Sequence, residues 1–157
     1  MDNSIKAGLS FGLTSAIITT LGLMIGLNSA TNSIMVVIGG IITIAFADGL
    51  SDALGMHIAT ESNKKEHDNL LKITIVTFLT KLIFGLSFII PILIFELQTA
   101  IWINIFYGLI LLSILSYKIA KSNKENPLYT IIEHLFIAII VLVVANQIGL
   151  IVSNIFI

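Results

Sequence analysis

The chain has 157 residues, of which 57% are hydrophobic and 11% charged, less than half the roughly 25% charged fraction of a soluble domain. Eight lysines, no arginine and nine acids give a formal net charge of -1, so no basic surface exists for nucleic acid, and the absence of cysteine removes disulfides, thiolate metal sites and thiol catalysis. An ordinary cytosolic enzyme and a disordered chain are excluded as well, which leaves an integral membrane protein.

Crossing a hydrocarbon core about 30 Å thick takes about 20 apolar residues. Five such runs follow one another, at roughly 6–28, 34–58, 70–95, 99–120 and 128–156. They are continuous rather than alternating, and five strands could not close a barrel. The expected fold class is therefore an all-α integral membrane protein, with residues 1–157 forming a single five-span domain. The first run is not expected to be a cleavable signal peptide: it is too long, Lys6 is its only basic flank, and an equally apolar run follows.

Asn28 to Ser33 separates the first two runs, and Glu96 to Gln98, shortly after Pro91, separates the third and fourth. Thr60 to Asn69 and Lys121 to Pro127 are the most polar segments. Lys6, Lys64, Lys65, Lys72, Lys118, Lys121 and Lys124 flank the same side, which is seven of the eight lysines. The positive-inside rule makes that side cytoplasmic, so the N-terminus is expected in the cytoplasm and the C-terminus outside. Trp102 falls at the expected outer aromatic belt, and Tyr117 and Tyr129 near the inner one.

Within span one, Gly8/Gly12 and Gly22/Gly26 repeat at four-residue spacing, and Gly39 and Gly40 follow in span two. Small residues let helix backbones approach closely, so span one should pack tightly against span two or against a second subunit. Span two carries Asp48 and Asp52 in the run AFADGLSDALGMHIA. A carboxylate at a helix centre costs about 2.5–3.5 kcal/mol on insertion scales and needs an explanation. The two acids are four residues apart and share a face, which Met56 extends by another turn. Asp48 lies about 15 Å from the inner end of its helix, and Lys81 of span three about as deep. Glu133 and His134 lie a turn or two into span five, on the same cytoplasmic half. His57 and His67 belong at or beyond the membrane edge.

Two explanations remain open. Two carboxylates, a thioether and an imidazole offer oxygen, sulfur and nitrogen to a divalent cation, and carboxylates can also carry a proton in a coupled step. Alternatively, Lys81 neutralises Asp48 or Asp52 and locks spans two and three together, and Glu133 and His134 form an interfacial polar pair. One buried lysine leaves one acid over. No phosphate-binding loop, nucleophile elbow or His-Glu-x-x-His segment is present, so the chain is not read as an enzyme.

The segment Ala47-Asp48-Gly49-Leu50-Ser51-Asp52-Ala53-Leu54-Gly55-Met56, followed by Glu61, resembles the Ala-Asp-Gly-Ile-Ser-Met-Gly-x-Gly-Asp/Glu signature of the vacuolar iron transporter family. Gly8 to Thr14 looks like the opening of that family's first helix, Thr77 to Pro91 like its third, and Asn146 to Gly149 like the close of its fifth. The resemblance implies a homodimer in the cell membrane that exports ferrous iron or manganese in exchange for protons, along an interface path lined by spans one and two. Asp48 and Glu61 match the family's metal ligands directly, and Asp52 and Met56, an acid and a thioether in exchanged order, are expected to complete the set, with the metal as cargo rather than cofactor. The family's first-helix acid falls on Phe11, its methionine on Asp52 and its second acid on Met56. Its cytoplasmic metal-collecting domain is replaced by a loop of about ten residues. The alternative expectation is a non-transporting structural or interaction module whose buried acids are ion-paired.

Overall fold

The computed structural model describes residues 3–62 and 70–156; Lys64, Lys65 and His67 lie outside the described residues. The described residues are helical almost throughout, in the order α1 (Asn3–Thr31), α2 (Ile34–Glu61), α3 (Leu70–Ser87), α4 (Ile89–Ile94), α5 (Leu97–Asn123) and α6 (Pro127–Phe156). Five helical stretches are long and apolar enough to cross a membrane, with α3 and α4 together making the third, Leu70–Ile94. The described residues are thus all-helical, as expected, and the five helical stretches apolar enough to cross a membrane each end within about three residues of their sequence boundaries.

The helices end where side chains offer the backbone something else. After α1, Asn32 takes a positive φ of 46°, and Ser33 then caps α2 by accepting from the Val36 amide at 3.5 Å. Asn is among the few residues that tolerate that left-handed conformation. After α5, Lys124 turns left-handed with φ 61°, the Asn126 side chain accepts from the Leu128 amide at 3.0 Å, and Pro127 opens α6, where its missing N–H costs nothing. Span three breaks at Phe88, between Gly85 and Pro91. Proline withholds one amide from the helical ladder, and at the break the buried Asn104 of α5 donates to the Phe88 carbonyl at 2.8 Å.

Close approaches give the relative directions. Gly8 faces Ile73 and Thr77, and Gly12 faces Thr77 and Thr80, so α1 and α3 run parallel. Gly22 faces Val141 and Gly26 faces Ala145, so α1 and α6 also run parallel. Gly49 against Phe78 and Gly85 against Ala45 set α2 antiparallel to α3, and Gly108 against Leu21 with Asn104 against Met24 sets α5 antiparallel to α1. α1 is the hub, touching α2, α3, α5 and α6. Half of its apolar window is buried, against 11% for α6 at the periphery. Ile17, Leu21, Met24 and Ile25 of α1 anchor the core, joined by Val37 and Ile41 of α2, Phe88 and Leu112. Between apolar helices in lipid, van der Waals fit and hydrogen bonds hold the bundle, since lipid tails are as apolar as leucine.

The four glycines of α1 therefore face helices of their own chain. At Gly12 a Cβ would lie 2.8 Å from the Thr77 carbonyl oxygen, and at Gly149 of α6 it would lie 2.4 Å from the Gly26 carbonyl oxygen. Only glycine permits either backbone approach. Of the two partners left open by the spacing, span two and a second subunit, neither is what these glycines meet: the close neighbours are α3 and α6.

Candidate functional site

Parallel packing of α1 on α3, and antiparallel packing of α2 on both, brings one polar residue type from each helix to a single place. Lys81 of α3 is 1% exposed, the largest fully buried side chain among the described residues. An ammonium has three hydrogens to donate and cannot accept. Here one goes to Asp48 Oδ2, one to Asp52 Oδ2 and one to Ser15 Oγ at 2.7 Å. Ser15 in turn donates to Asp52 Oδ2 at 2.6 Å. Lys81 thus has no spare hydrogen, and the sequence expectation of a pairing with Asp48 or Asp52 becomes a bridge between both.

The accessible edge of the cluster belongs to the acids. Their side chains are 32% exposed for Asp48 and 18% for Asp52, against 2% for Lys81. Neither Oδ1 atom takes a hydrogen bond among the described residues. Two carboxylates against one ammonium leave one formal negative charge, held within apolar helices. Such a site can accept a cation or a proton at the free carboxylate oxygens.

The other expected site residues are distributed along the helices. Met56, one turn beyond Asp52, is half-buried on the same side of α2. Glu61 is exposed at the last residue of α2, roughly 14 Å along the axis from Asp52 at helical rise, and so stands apart from the cluster. Among the described residues no group of three or more histidines and acids is close enough to hold a metal ion. His57 Nδ1 meets Thr74 Oγ1 at 3.0 Å while Thr74 donates to the Leu70 carbonyl at 2.7 Å. The hydroxyl hydrogen being used, His57 donates from Nδ1. His134 does the same on α6: its Nδ1 meets Ser116 Oγ at 2.8 Å while Ser116 donates to the Leu112 carbonyl at 2.6 Å. Glu133 beside it is exposed, and both border a cavity of about 570 Å³ shared with Glu125 and Tyr129 at the α5–α6 turn. His134 bonds to α5, and neither residue meets Lys81 or the aspartates among the described residues.

Ser15 received no role from the sequence. It is one turn beyond Phe11 on α1, and the available signal was a hydroxyl at mid-span on a helix otherwise rich in apolar residues and glycine. Thr77 was likewise unremarked: it is fully buried, and its Oγ1 has no hydrogen-bond partner among the described residues.

The chain matches no protein-family model, no curated protein and no solved structure. Class and chemistry therefore rest on the residues themselves: a multi-pass helical membrane protein with an acid-rich, partly open ionic cluster in the middle of its helices.

Proposed function

We propose that the chain is a carrier of divalent transition-metal cations, ferrous iron or manganese, that exports them from the cytoplasm in exchange for protons. The observation that carries this reading is the pair of accessible carboxylates on α2, whose charge a single buried ammonium only half compensates. A partly exposed negative charge among apolar helices is costly unless a cation or proton visits it. Asp48 and Asp52 supply hard oxygen ligands, and Met56, a turn nearer the lysine-rich end, supplies a thioether that favours later transition metals. Glu61 at the mouth of α2 draws cations towards the helix. Protonation of the carboxylates from the opposite side would release the cargo, giving antiport without ATP. The resemblance of Ala47 to Met56 to the vacuolar iron transporter signature supports the same substrates. The lysines that flank one end of the bundle support a cytoplasmic N-terminus and an external C-terminus.

A homodimer completes the reading. The outward face of α2 presents Gly39, Thr43, Ala47, Ser51, Gly55 and Ala59, all exposed and four residues apart, and at Gly39 and Gly55 a Cβ would meet nothing within 4 Å. Small residues at this spacing allow two copies of α2 to approach closely. Asp48 and Asp52 are next to that face, so a path between the copies would pass the acids, with Phe11 and Ser15 of α1 lining its other side.

A second reading has its own observation. Lys81 spends all three hydrogens within the cluster, as expected of an ionic lock in a non-transporting module. Flux separates the two. In proteoliposomes with an imposed proton gradient, the wild type should move manganese or ferrous iron and dissipate the gradient, and Asp48→Asn and Asp52→Asn should abolish both. Flux of neither metal above that of empty vesicles would remove the transport reading and leave the ionic lock.

A further inference from the structure

The cluster has an order in depth. Lys81 lies innermost, its side chain 2% exposed, and the carboxylates lie in front of it with free oxygens at the accessible side. A cation arriving at those oxygens meets a site whose charge has already been halved from behind by an ammonium on a flexible four-carbon stem. Like charges repel strongly in a medium of low dielectric, so an incoming divalent ion and the ammonium cannot share the two carboxylates on equal terms.

We infer that Lys81 is a tethered counter-ion that competes with the transported cation for Asp48 and Asp52, filling the site when it is empty and weakening cargo binding enough for release. This rests on the reading of the two acids as cargo ligands. In the empty state the ammonium gives the aspartates their partners, and Ser15 holds it there by accepting its third hydrogen while donating to Asp52. In the loaded state the ammonium needs somewhere to go. Thr77 stands one turn earlier on the same side of α3, fully buried, with an Oγ1 that has no partner among the described residues. Helical side chains lean back towards the N-terminal turn, so a retreating Lys81 ammonium moves towards that oxygen. A hydroxyl left unpaired in a buried position is destabilising in the empty state. It becomes useful once it accepts from the displaced lysine.

The arrangement also sets selectivity by charge. A site of two carboxylates and one ammonium gives a monovalent ion little advantage over the lysine it must displace, whereas a divalent ion restores more charge than it removes. Neither α1, whose described charged residue is Lys6 at its cytoplasmic start, nor α3, whose other lysine is Lys72 more than two turns away, brings another charge to the cluster.

Manganese binding and manganese flux test the inference together. Lys81→Met should bind manganese at least tenfold more tightly than wild type, read as the metal concentration giving half-maximal thermal stabilisation. In vesicles it should lower both KM and kcat, because cargo enters a more negative site and leaves it slowly. Lys81→Arg should retain a KM near wild type. Thr77→Val should weaken manganese binding several-fold in the wild-type background and change nothing in the Lys81→Met background, where no ammonium seeks the hydroxyl. If Lys81→Met does not fold, Asp52→Asn compared with Asp52→Asn/Lys81→Met carries the same expectation, since removing the lysine should tighten binding at least tenfold there too. A folded lysine-free variant with unchanged or weaker manganese affinity would overturn the inference and leave Lys81 a structural lock. A wild type that neither binds nor moves manganese or ferrous iron would fail earlier, at the transport reading, and would be recognised as that; for a carrier of iron alone, the same variants are read with ferrous iron.

Discussion

At the scale of single residues, the cluster is held by donor arithmetic. Lys81 offers three hydrogens, and three oxygens on α1 and α2 take them. Deleting the lysine therefore leaves Asp48 without its donor, Asp52 with the Ser15 hydroxyl alone, and Ser15 with no donor to accept from. Removing one partner of a buried ion pair typically costs about 3–5 kcal/mol, while replacing the whole set with neutral groups is often tolerated. In metal-free detergent, Lys81→Met should lower the melting temperature markedly. Lys81→Met combined with Asp48→Asn and Asp52→Asn should recover most of the loss. Thermal unfolding of the wild type, the single and the triple variant checks this, and a triple variant no more stable than the single would mean that Lys81 supports the fold through its packing rather than its charge. Saturating manganese should rescue the single variant but not the triple, because only the single variant retains both carboxylates.

At the scale of helices, α1 owes its central position to small residues on two sides. Gly8 and Gly12 let it approach α3, and Gly22 and Gly26 let it approach α6. The approach to α3 also sets the register that puts Ser15 beside Lys81. A side chain at Gly12 would enter the space of the Thr77 carbonyl and Thr80 Cβ, at 2.8 and 3.1 Å from its first carbon. Forcing extra atoms into a fitted contact costs about 1–3 kcal/mol. Gly12→Ile should therefore destabilise each subunit by about that amount and weaken manganese binding, because Ser15 is carried away from the cluster with α1. Denaturation in mixed detergent micelles measures the first effect and metal-induced stabilisation the second. A Gly12→Ile variant of wild-type stability that only loses dimers would put α1 at a subunit boundary instead.

For the whole molecule, the proposed dimer rests on α2, since the α1 glycines are spent within the subunit. Ala47→Leu and Ser51→Leu add bulk at exposed positions, so they should reduce dimer content while sparing the fold of each subunit. A cysteine at Gly55, where the surroundings are open, should form a disulfide between copies in the membrane, and the cysteine-free background makes that product unambiguous. Crosslinking through α6 but not through α2 would move the interface to the opposite side of the bundle. Orientation is tested on the same background: a cysteine at Gln98 should react with an impermeant thiol reagent from outside, and one at Ser62 should not. Both positions are exposed in helix-end regions.

The chain alone determined the fold class, the five candidate spans and the placement of acids in the second of them. Lipid makes these local properties legible: a span needs enough consecutive apolar residues, and each buried charge stands out against them. The break at Phe88 was not legible: the sequence offers one apolar run over 70–95, and Pro91 within it withholds an amide without fixing where the helix is interrupted. Nor was the meeting of helices. Small-residue spacing on α1 announced close packing, but the choice among α3, α6 and a second subunit depends on rotation and register, which no four-residue repeat encodes. The same limit hid Ser15 and Thr77, whose hydroxyls are ordinary in a membrane helix until α3 brings Lys81 alongside. Sequence put Asp48 and Lys81 at similar depth, with Asp52 a turn away. Only the antiparallel fit of α2 on α3, with α1 closing the third side, made one ammonium serve both acids, because a hydrogen bond is satisfied at about 3 Å and depth along a helix is known only to a turn.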